Sequence, residues 1–315
     1  MKDKLIIITG PTASGKSDIA INIAKALDTC VISADSQQVY KYMDIGTNKI
    51  SDPFEVDHFM IDEVYPDENF TVEDFSEEAN YIVDRINENL RIPIVAGGTG
   101  FYIDSLLFNM NYGRVKKDQD YRRKLEILSR DEGNNYLFDK LEKIDPKTAK
   151  KYHPNELNRI IRALEIYHVS GQIPSEARKG ENTLRENREP LVFFLNYESR
   201  DILYKNINER VIRMIDDGLI DEVKTLKYTY KLDKNSQSMA AIGYKEILLY
   251  LDGDITLDET INLIQRNTRR YAKRQITWMK KYLNYNFGHE IEMDNLTKND
   301  ASDIILDIIK GVYDL

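Results

Sequence analysis

The chain has 315 residues, 42% of them hydrophobic and 31% charged, with a formal net charge of −9 and a single cysteine. That length supports one large or two modest domains with a sizeable core, and the balance is that of a globular protein rather than a disordered one. No apolar run approaches membrane-spanning length, no leader pattern precedes the first strand, and one cysteine excludes a disulfide framework or a cysteine-rich zinc site. A reducing cytoplasm and no membrane partner are the expectation.

The first predicted element is a buried strand over residues 5–9, followed by Gly10-Pro11-Thr12-Ala13-Ser14-Gly15-Lys16-Ser17 and a helix over 16–27. This G-x-x-x-x-G-K-[ST] pattern stands in the strand-loop-helix setting of a nucleotide-binding, ATP-binding type of phosphate loop. Gly10 and Gly15 let the backbone curl so that successive N–H groups and a helix N-terminus face one anion. Lys16 reaches the terminal phosphate oxygens, and the Ser17 hydroxyl is placed for Mg²⁺. Cys30 reads as a small buried residue at the start of the next strand, 31–34.

That second strand ends at Asp35-Ser36-Gln37-Gln38. A carboxylate at a strand's carboxyl end can act as a general base, sit in an Mg²⁺ outer shell, or merely cap a helix. Ser36, Gln37 and Gln38 offer groups that can read a purine edge. A helix follows over 72–89, then a strand over 92–96 that ends in Gly97-Gly98-Thr99-Gly100 and leads into a helix over 100–107. An ATP-hydrolysing protein would place an acid after that later strand; here a second close-approach loop stands instead. Thr99 can bond a phosphate or a reacting group, or cap the helix behind it.

From residue 113 to about 190 the alternation stops, and helices are predicted over 118–130, 136–143, 146–151 and 155–169. A further strand, 191–195, returns the chain to the sheet, followed by helices over 203–217, 219–229 and 257–282 and a terminal amphipathic helix over 301–312. The reading is an α/β fold: a P-loop NTPase-like parallel sheet flanked by helices, residues 1–112 and 191–290, interrupted by an all-helical insertion, 113–190, and ending in a tail helix, 291–315.

Charge divides along the same lines. Residues 1–112 carry a net −11, residues 113–190 a net +4, and residues 266–281 hold seven basic side chains and no acidic one. Such local basic stretches on an acidic chain suit either a nucleic-acid contact or a solvated helix face. His153 and His168 read as structural, and Trp278 as packing.

Taken in order, Gly10–Ser17, Ser33–Tyr40, Met43-Asp-Ile-Gly-Thr47, Gly97-Gly-Thr-Gly-Phe-Tyr102, Asn158-Arg-Ile-Ile-Arg-Ala-Leu-Glu165, Arg210 with Gly218-Leu219, Ala241-Ile-Gly-Tyr-Lys245 and Lys273-Arg-Gln-Ile-Thr-Trp278 resemble the bacterial tRNA dimethylallyltransferases (tRNA isopentenyltransferases). The resemblance spans about residues 4–285, with Ser17 where threonine is frequent and Asn158 where another polar residue precedes the arginine. It implies transfer of a dimethylallyl group from its diphosphate to N6 of adenine 37, beside the tRNA anticodon. By the same resemblance Asp35 is the general base, Lys16, Thr99 and Arg210 stabilise the leaving diphosphate, and Mg²⁺ is held through Ser17. Asp35, Ser36, Gln37, Gln38, Thr99, Asn158, Arg159, Ile160, Ile161, Arg162, Lys273 and Arg274 then meet the tRNA of a monomeric enzyme. A leaving diphosphate needs a cradle but no ATP hydrolysis, which accounts for the missing acid after the 92–96 strand.

Three rivals are weaker. An adenylate isopentenyltransferase has little use for the basic insertion and the 266–281 run. A small-molecule kinase leaves Ser33–Tyr40 and Gly97–Tyr102 unexplained together. A structural RNA-binding protein has no use for Lys16, Ser17, Asp35 and Thr99.

Overall fold

The computed structural model of the protein describes residues 2–49, 56–110, 118–177 and 183–315. It divides into two compact units, Met1–Leu107 with Arg185–Leu315, and Phe108–Leu184.

The first unit is built on a fully parallel six-stranded sheet of β1 (Asp3–Thr9), β2 (Val31–Ser33), β3 (His58–Phe59), β4 (Ile94–Gly97), β7 (Arg188–Asn196) and β8 (Gly288–Glu292), in the order β3-β2-β4-β1-β7-β8. Leu5–Thr9 of β1 are all buried, as a near-continuous apolar run in a two-sided sheet requires. In register, Thr9 stands opposite Gly97 on one side and Phe194 on the other. The loops leaving β1, β2 and β4 therefore open on the same carboxyl rim. Because β1 leads to β2 on one side while β7 pairs on the other, that rim carries the crevice where such sheets take ligands.

The helices of this unit are α1 (Lys16–Ala26), α2 (Val72–Glu88), α3 (Gly100–Leu107), α9 (Arg200–Asp216), α10 (Leu219–Tyr228), α11 (Tyr244–Leu251), α12 (Leu257–Met279) and α13 (Lys298–Tyr313). Thr71 with Asp74 and Thr256 with Glu259 form reciprocal capping boxes that start α2 and α12. One core joins β1, β4, β7 and α1 to Ile291 of β8 and to Ala301, Ile305, Ile309 and Tyr313 of α13. The expected tail, 291–315, is thus part of this unit, and its expected boundary falls inside β8. The alternating Glu290 and Glu292 of that edge strand hid it from an apolar pattern. A second core packs Val39, Tyr40 and Met43 on α10, α11 and Ile264 of α12.

The second unit holds α4 (Gln119–Glu132), α5 (Asn134–Ile144), α6 (Pro146–Ala149), α7 (Leu157–Ser170) and α8 (Pro174–Ala177). It is not wholly helical: β5 (Phe108–Asn109) pairs antiparallel with β6 (Thr183–Leu184). The expected start of the insertion at 113 lies outside the described residues. Leu125, Leu137, Leu141, Ile160 and Leu164 make its core. Glu165 is buried there and accepts from Arg122 Nε and Nη2 at 2.7 Å each, Arg162 Nη1 at 2.6 Å and the Asp118 N–H at 2.7 Å. A buried carboxylate so fully partnered stays ionised, and its pKa is lowered: its arginine hydrogen bonds outweigh burial, the largest influence, which acts in the opposite sense.

Candidate active site

The phosphate loop closes tightly after β1. A Cβ on Gly10 would stand 2.5 Å from the Leu195 carbonyl oxygen of β7, so that position tolerates no side chain. Gly15 turns into α1 at φ +84°, in the left-handed region. The Lys16 ammonium curls back to donate to the Pro11 carbonyl at 2.7 Å. Burial, then the nearby Arg210 charge, lower its pKa to about 7, with Asp35 pulling the other way. A cation kept uncomfortable by its surroundings is one that gains from an incoming anion.

Arg210 projects from α9 and its Nη1 donates to Thr12 Oγ1 at 2.8 Å. Its pKa is also lowered, by burial first. Lys16 and Arg210 thus put two positive charges beside the N–H groups of one loop. Asp35, at the end of β2, accepts the Gln37 N–H on Oδ1 at 2.9 Å. Thr99, after β4, accepts the Ser36 N–H on Oγ1 at 3.0 Å, which turns its hydroxyl toward the Asp35 segment. The two strand ends meet closely: a Cβ on Gly97 would lie 2.2 Å from the Ala34 carbonyl oxygen.

Two cavities adjoin at these residues. The smaller, about 70 Å³, is lined by Lys16, Ser17, Asp35, Gly98 and Arg210. The larger, about 310 Å³, shares Thr12, Asp35, Thr47, Arg210 and Tyr271 with it and is otherwise walled by Val211, Met214, Ala241, Tyr244 and Ile264. Asp35 therefore stands at the junction of a cationic cradle and a partly apolar chamber. The oxygen donors there, the Ser17 hydroxyl and the Asp35 carboxylate, are of the hard type that suits Mg²⁺ held mainly by phosphate and water.

The two glutamines after Asp35 differ. Gln38 is tied on both sides: Oε1 accepts from Ser33 Oγ at 2.7 Å, and Nε2 donates to the Thr47 and Asn48 carbonyls at 3.2 and 3.3 Å. It braces the loop. The Gln37 Oε1 is buried without a protein partner, and Gln37 lines the larger cavity. Of the expected base-reading amides, Gln37 holds the open acceptor.

Two residues of α12 were not singled out from sequence. Gln275 is buried; its Oε1 accepts the Thr12 N–H at 2.8 Å and its Nε2 donates to the Gly98 carbonyl at 3.0 Å. One amide thereby links the two close-approach loops. Tyr271 lines both cavities, and burial with the Asp35 charge pushes its hydroxyl up to about 12. Both lie within the basic 266–281 run, and Gln275 also within the Lys273–Trp278 motif, but neither pattern marks which of its residues turn inward.

Other expected contacts sort by exposure. Lys273 and Arg274 are exposed on α12 with Arg266 and Arg270, at spacings that share one helix face. In the second unit, Asn158 and Arg159 are exposed, and Arg159 pairs with Glu156 at 2.7 Å. The side chains of Ile160 and Ile161 sit in the unit's core, which leaves Asn158 and Arg159 as the exposed side chains of that stretch. Arg162 is bound to the buried Glu165 rather than extended beside Arg159. His168 stacks on Tyr121 at 3.8 Å between ring centres, and Trp278 covers Gly100, where a Cβ would lie 2.3 Å from the indole.

Comparison with known proteins gives one answer. Residues 38–282 match the IPP transferase family model, and residues 3–60 the isopentenyl transferase model. The chain is 45% identical over 287 residues to the tRNA dimethylallyltransferase of Caldanaerobacter subterraneus subsp. tengcongensis, covering 90% of each. It is 44% identical over 296 residues to that of Halalkalibacterium halodurans, covering 93% of each. Among solved structures, the full-length tRNA isopentenylpyrophosphate transferase of Bacillus halodurans superposes with a TM-score of 0.71 at 41% identity, over 98% of this chain and 96% of that one. A eukaryotic dimethylallyltransferase acting on tRNA superposes with a TM-score of 0.83 at 30% identity, over 99% and 80%. No helix among the described residues is long and apolar enough to cross a membrane.

Proposed function

This chain belongs to the tRNA dimethylallyltransferase family, a family of prenyl-transferring enzymes that act on tRNA, and we propose that it moves the dimethylallyl group of dimethylallyl diphosphate to N6 of adenine 37. The observation that carries the reading is the position of Asp35 between a cationic, N–H-rich cradle and a chamber with apolar walls. A prenyl diphosphate has those two halves, and the bond between them is the one that breaks.

In this account the diphosphate lies against the Gly10–Ser17 loop and the five-carbon group enters the chamber walled by Val211, Met214 and Ile264. Adenine 37, drawn out of the anticodon loop, brings N6 beside Asp35. N6 attacks the first carbon of the prenyl group, the carbon–oxygen bond breaks, and the N6 proton passes to the Asp35 carboxylate. Lys16, Arg210 and the Thr99 hydroxyl stabilise the charge that gathers on the departing diphosphate. Gln37, with its unpartnered buried carbonyl oxygen, accepts from the base edge. Mg²⁺, bound through Ser17 and the diphosphate, would neutralise that leaving group. The exposed Lys273, Arg274, Asn158 and Arg159 meet the tRNA backbone. All of these groups come from one chain, which we take to act as a monomer in the cytoplasm.

The test incubates the protein with Mg²⁺, dimethylallyl diphosphate and unmodified tRNA, with AMP and ATP as parallel acceptors, and weighs the digested nucleosides. Dimethylallyl-adenosine from tRNA alone is expected. Prenylated AMP would point to an adenylate isopentenyltransferase, and ATP consumption without prenylation to a kinase.

A further inference from the structure

Two segments singled out in the sequence, Met43–Thr47 and Ala241–Lys245, enter the site only as cavity walls, through Thr47, Ala241 and Tyr244. They meet at one carboxylate. Glu222 of α10 accepts the backbone N–H groups of three successive residues, Asp44 at 2.9 Å, Ile45 at 2.7 Å and Gly46 at 3.2 Å, and the Tyr244 hydroxyl at 2.5 Å. Consecutive N–H groups converging on one anion fix a loop's course more tightly than neutral bonds can. Tyr244, whose hydroxyl burial and the Glu222 charge hold protonated, lays its ring across Gly46, where a Cβ would be 2.4 Å from the ring. No side chain other than hydrogen fits there.

The loop so held is a wall of the site. Gly46, Thr47 and Tyr244 line the larger cavity, and Thr47 also lines the cationic one. The Thr47 and Asn48 carbonyls hold the Gln38 amide, which bonds back to Ser33. Asp35 lies between Ser33 and Gln38 in the chain, so its segment is braced from Glu222 through the loop.

We propose that Glu222 is a positioning residue for prenyl transfer, setting the 43–48 wall and through it the Asp35–Gln38 segment, while touching neither substrate. This rests on the function proposed above. It differs from a role in fold stability alone: among the described residues, the groups that donate to Glu222 are those of the 44–46 loop and Tyr244, not the P-loop cradle or the exposed basic face of α12. Loss of the carboxylate should therefore impair the chemical step and spare both binding events.

The test compares the full chain with E222A and E222Q, measuring turnover with dimethylallyl diphosphate and tRNA, affinity and stoichiometry for inorganic pyrophosphate, tRNA affinity, and the unfolding midpoint. E222A is expected to lower kcat about 10²-fold, the scale of a small misplacement at a reacting centre, with pyrophosphate and tRNA dissociation constants within about threefold and full binding stoichiometry. E222Q keeps an acceptor oxygen for the loop and should recover about tenfold of that loss; it carries the test if E222A does not fold. Turnover within about twofold of wild type for the folded variants overturns the proposal. So does a loss of turnover matched by loss of pyrophosphate-binding sites, which marks a collapsed fold. A wild-type chain that fails to prenylate tRNA overturns the underlying function instead.

Discussion

Gln275 Nε2 donates to the Gly98 carbonyl at 3.0 Å, and the same nitrogen would lie 2.1 Å from any Cβ placed on Gly98. The second close-approach loop is thus glycine at this point because α12 sends a buried amide against it. The other end of that amide holds Thr12 of the phosphate loop, whose hydroxyl receives Arg210. Strand ends, helix α9 and helix α12 are locked together by groups of a few atoms each.

Gly98→Ala should accordingly break the Gln275 link. A methyl group there must displace a side chain that is buried and bonded at both ends, at a cost of about 1–3 kcal/mol. Turnover should fall at least about tenfold. Gly97→Ala should be worse, since its Cβ meets the Ala34 backbone at 2.2 Å rather than a side chain. Denaturant unfolding and steady-state turnover of both variants check the order.

The lowered pKa of Lys16, about 7, predicts proton uptake on binding. Above that pH the free enzyme has lost a proton that a bound diphosphate calls back. Affinity for inorganic pyrophosphate should therefore fall as pH rises from 7 toward the ordinary lysine value of 10.5, and Lys16→Met should remove that component. Stability without ligand should run the other way. The unfolded lysine keeps its proton to higher pH than the folded one, so this residue's contribution rises with pH across the same window. Calorimetry in buffers of different ionisation enthalpy reads the uptake directly.

The two arginines of α7 should separate. Arg159→Ala and, on α12, Arg274→Ala remove exposed charge and should each weaken tRNA binding and reduce its salt slope by about one. Arg162→Ala should leave the salt slope alone. It removes a partner from the buried Glu165 and should destabilise the protein by about 1–3 kcal/mol. Binding isotherms at several salt concentrations, with thermal unfolding alongside, distinguish the two behaviours.

The chemistry-bearing strand ends were legible because each is a local pattern: an apolar run followed by Gly10–Ser17, by Asp35, or by Gly97–Thr99. The parallel sheet followed from the same alternation. What sequence hid was tertiary. Gln275, Tyr271 and Glu222 act across distances of tens to hundreds of residues, and nothing beside them in the chain marks their partners. Gln37 and Gln38 look alike in sequence, yet only the bonds to Ser33, Thr47 and Asn48 reveal which amide is already engaged. Ile160 and Ile161 were carried along by a motif whose exposed members are their neighbours Asn158 and Arg159. The strand Gly288–Glu292 was missed because an edge strand can alternate charge and still pair.

Whether Asp35 takes the proton from the attacking amine is read by single-turnover prenyl transfer with Asp35→Ala, with tRNA affinity measured on the same preparation. A rate lower by about 10²–10⁴ is expected, with tRNA affinity nearly intact. A rate close to wild type, or a loss of rate and affinity in equal measure, would contradict that role.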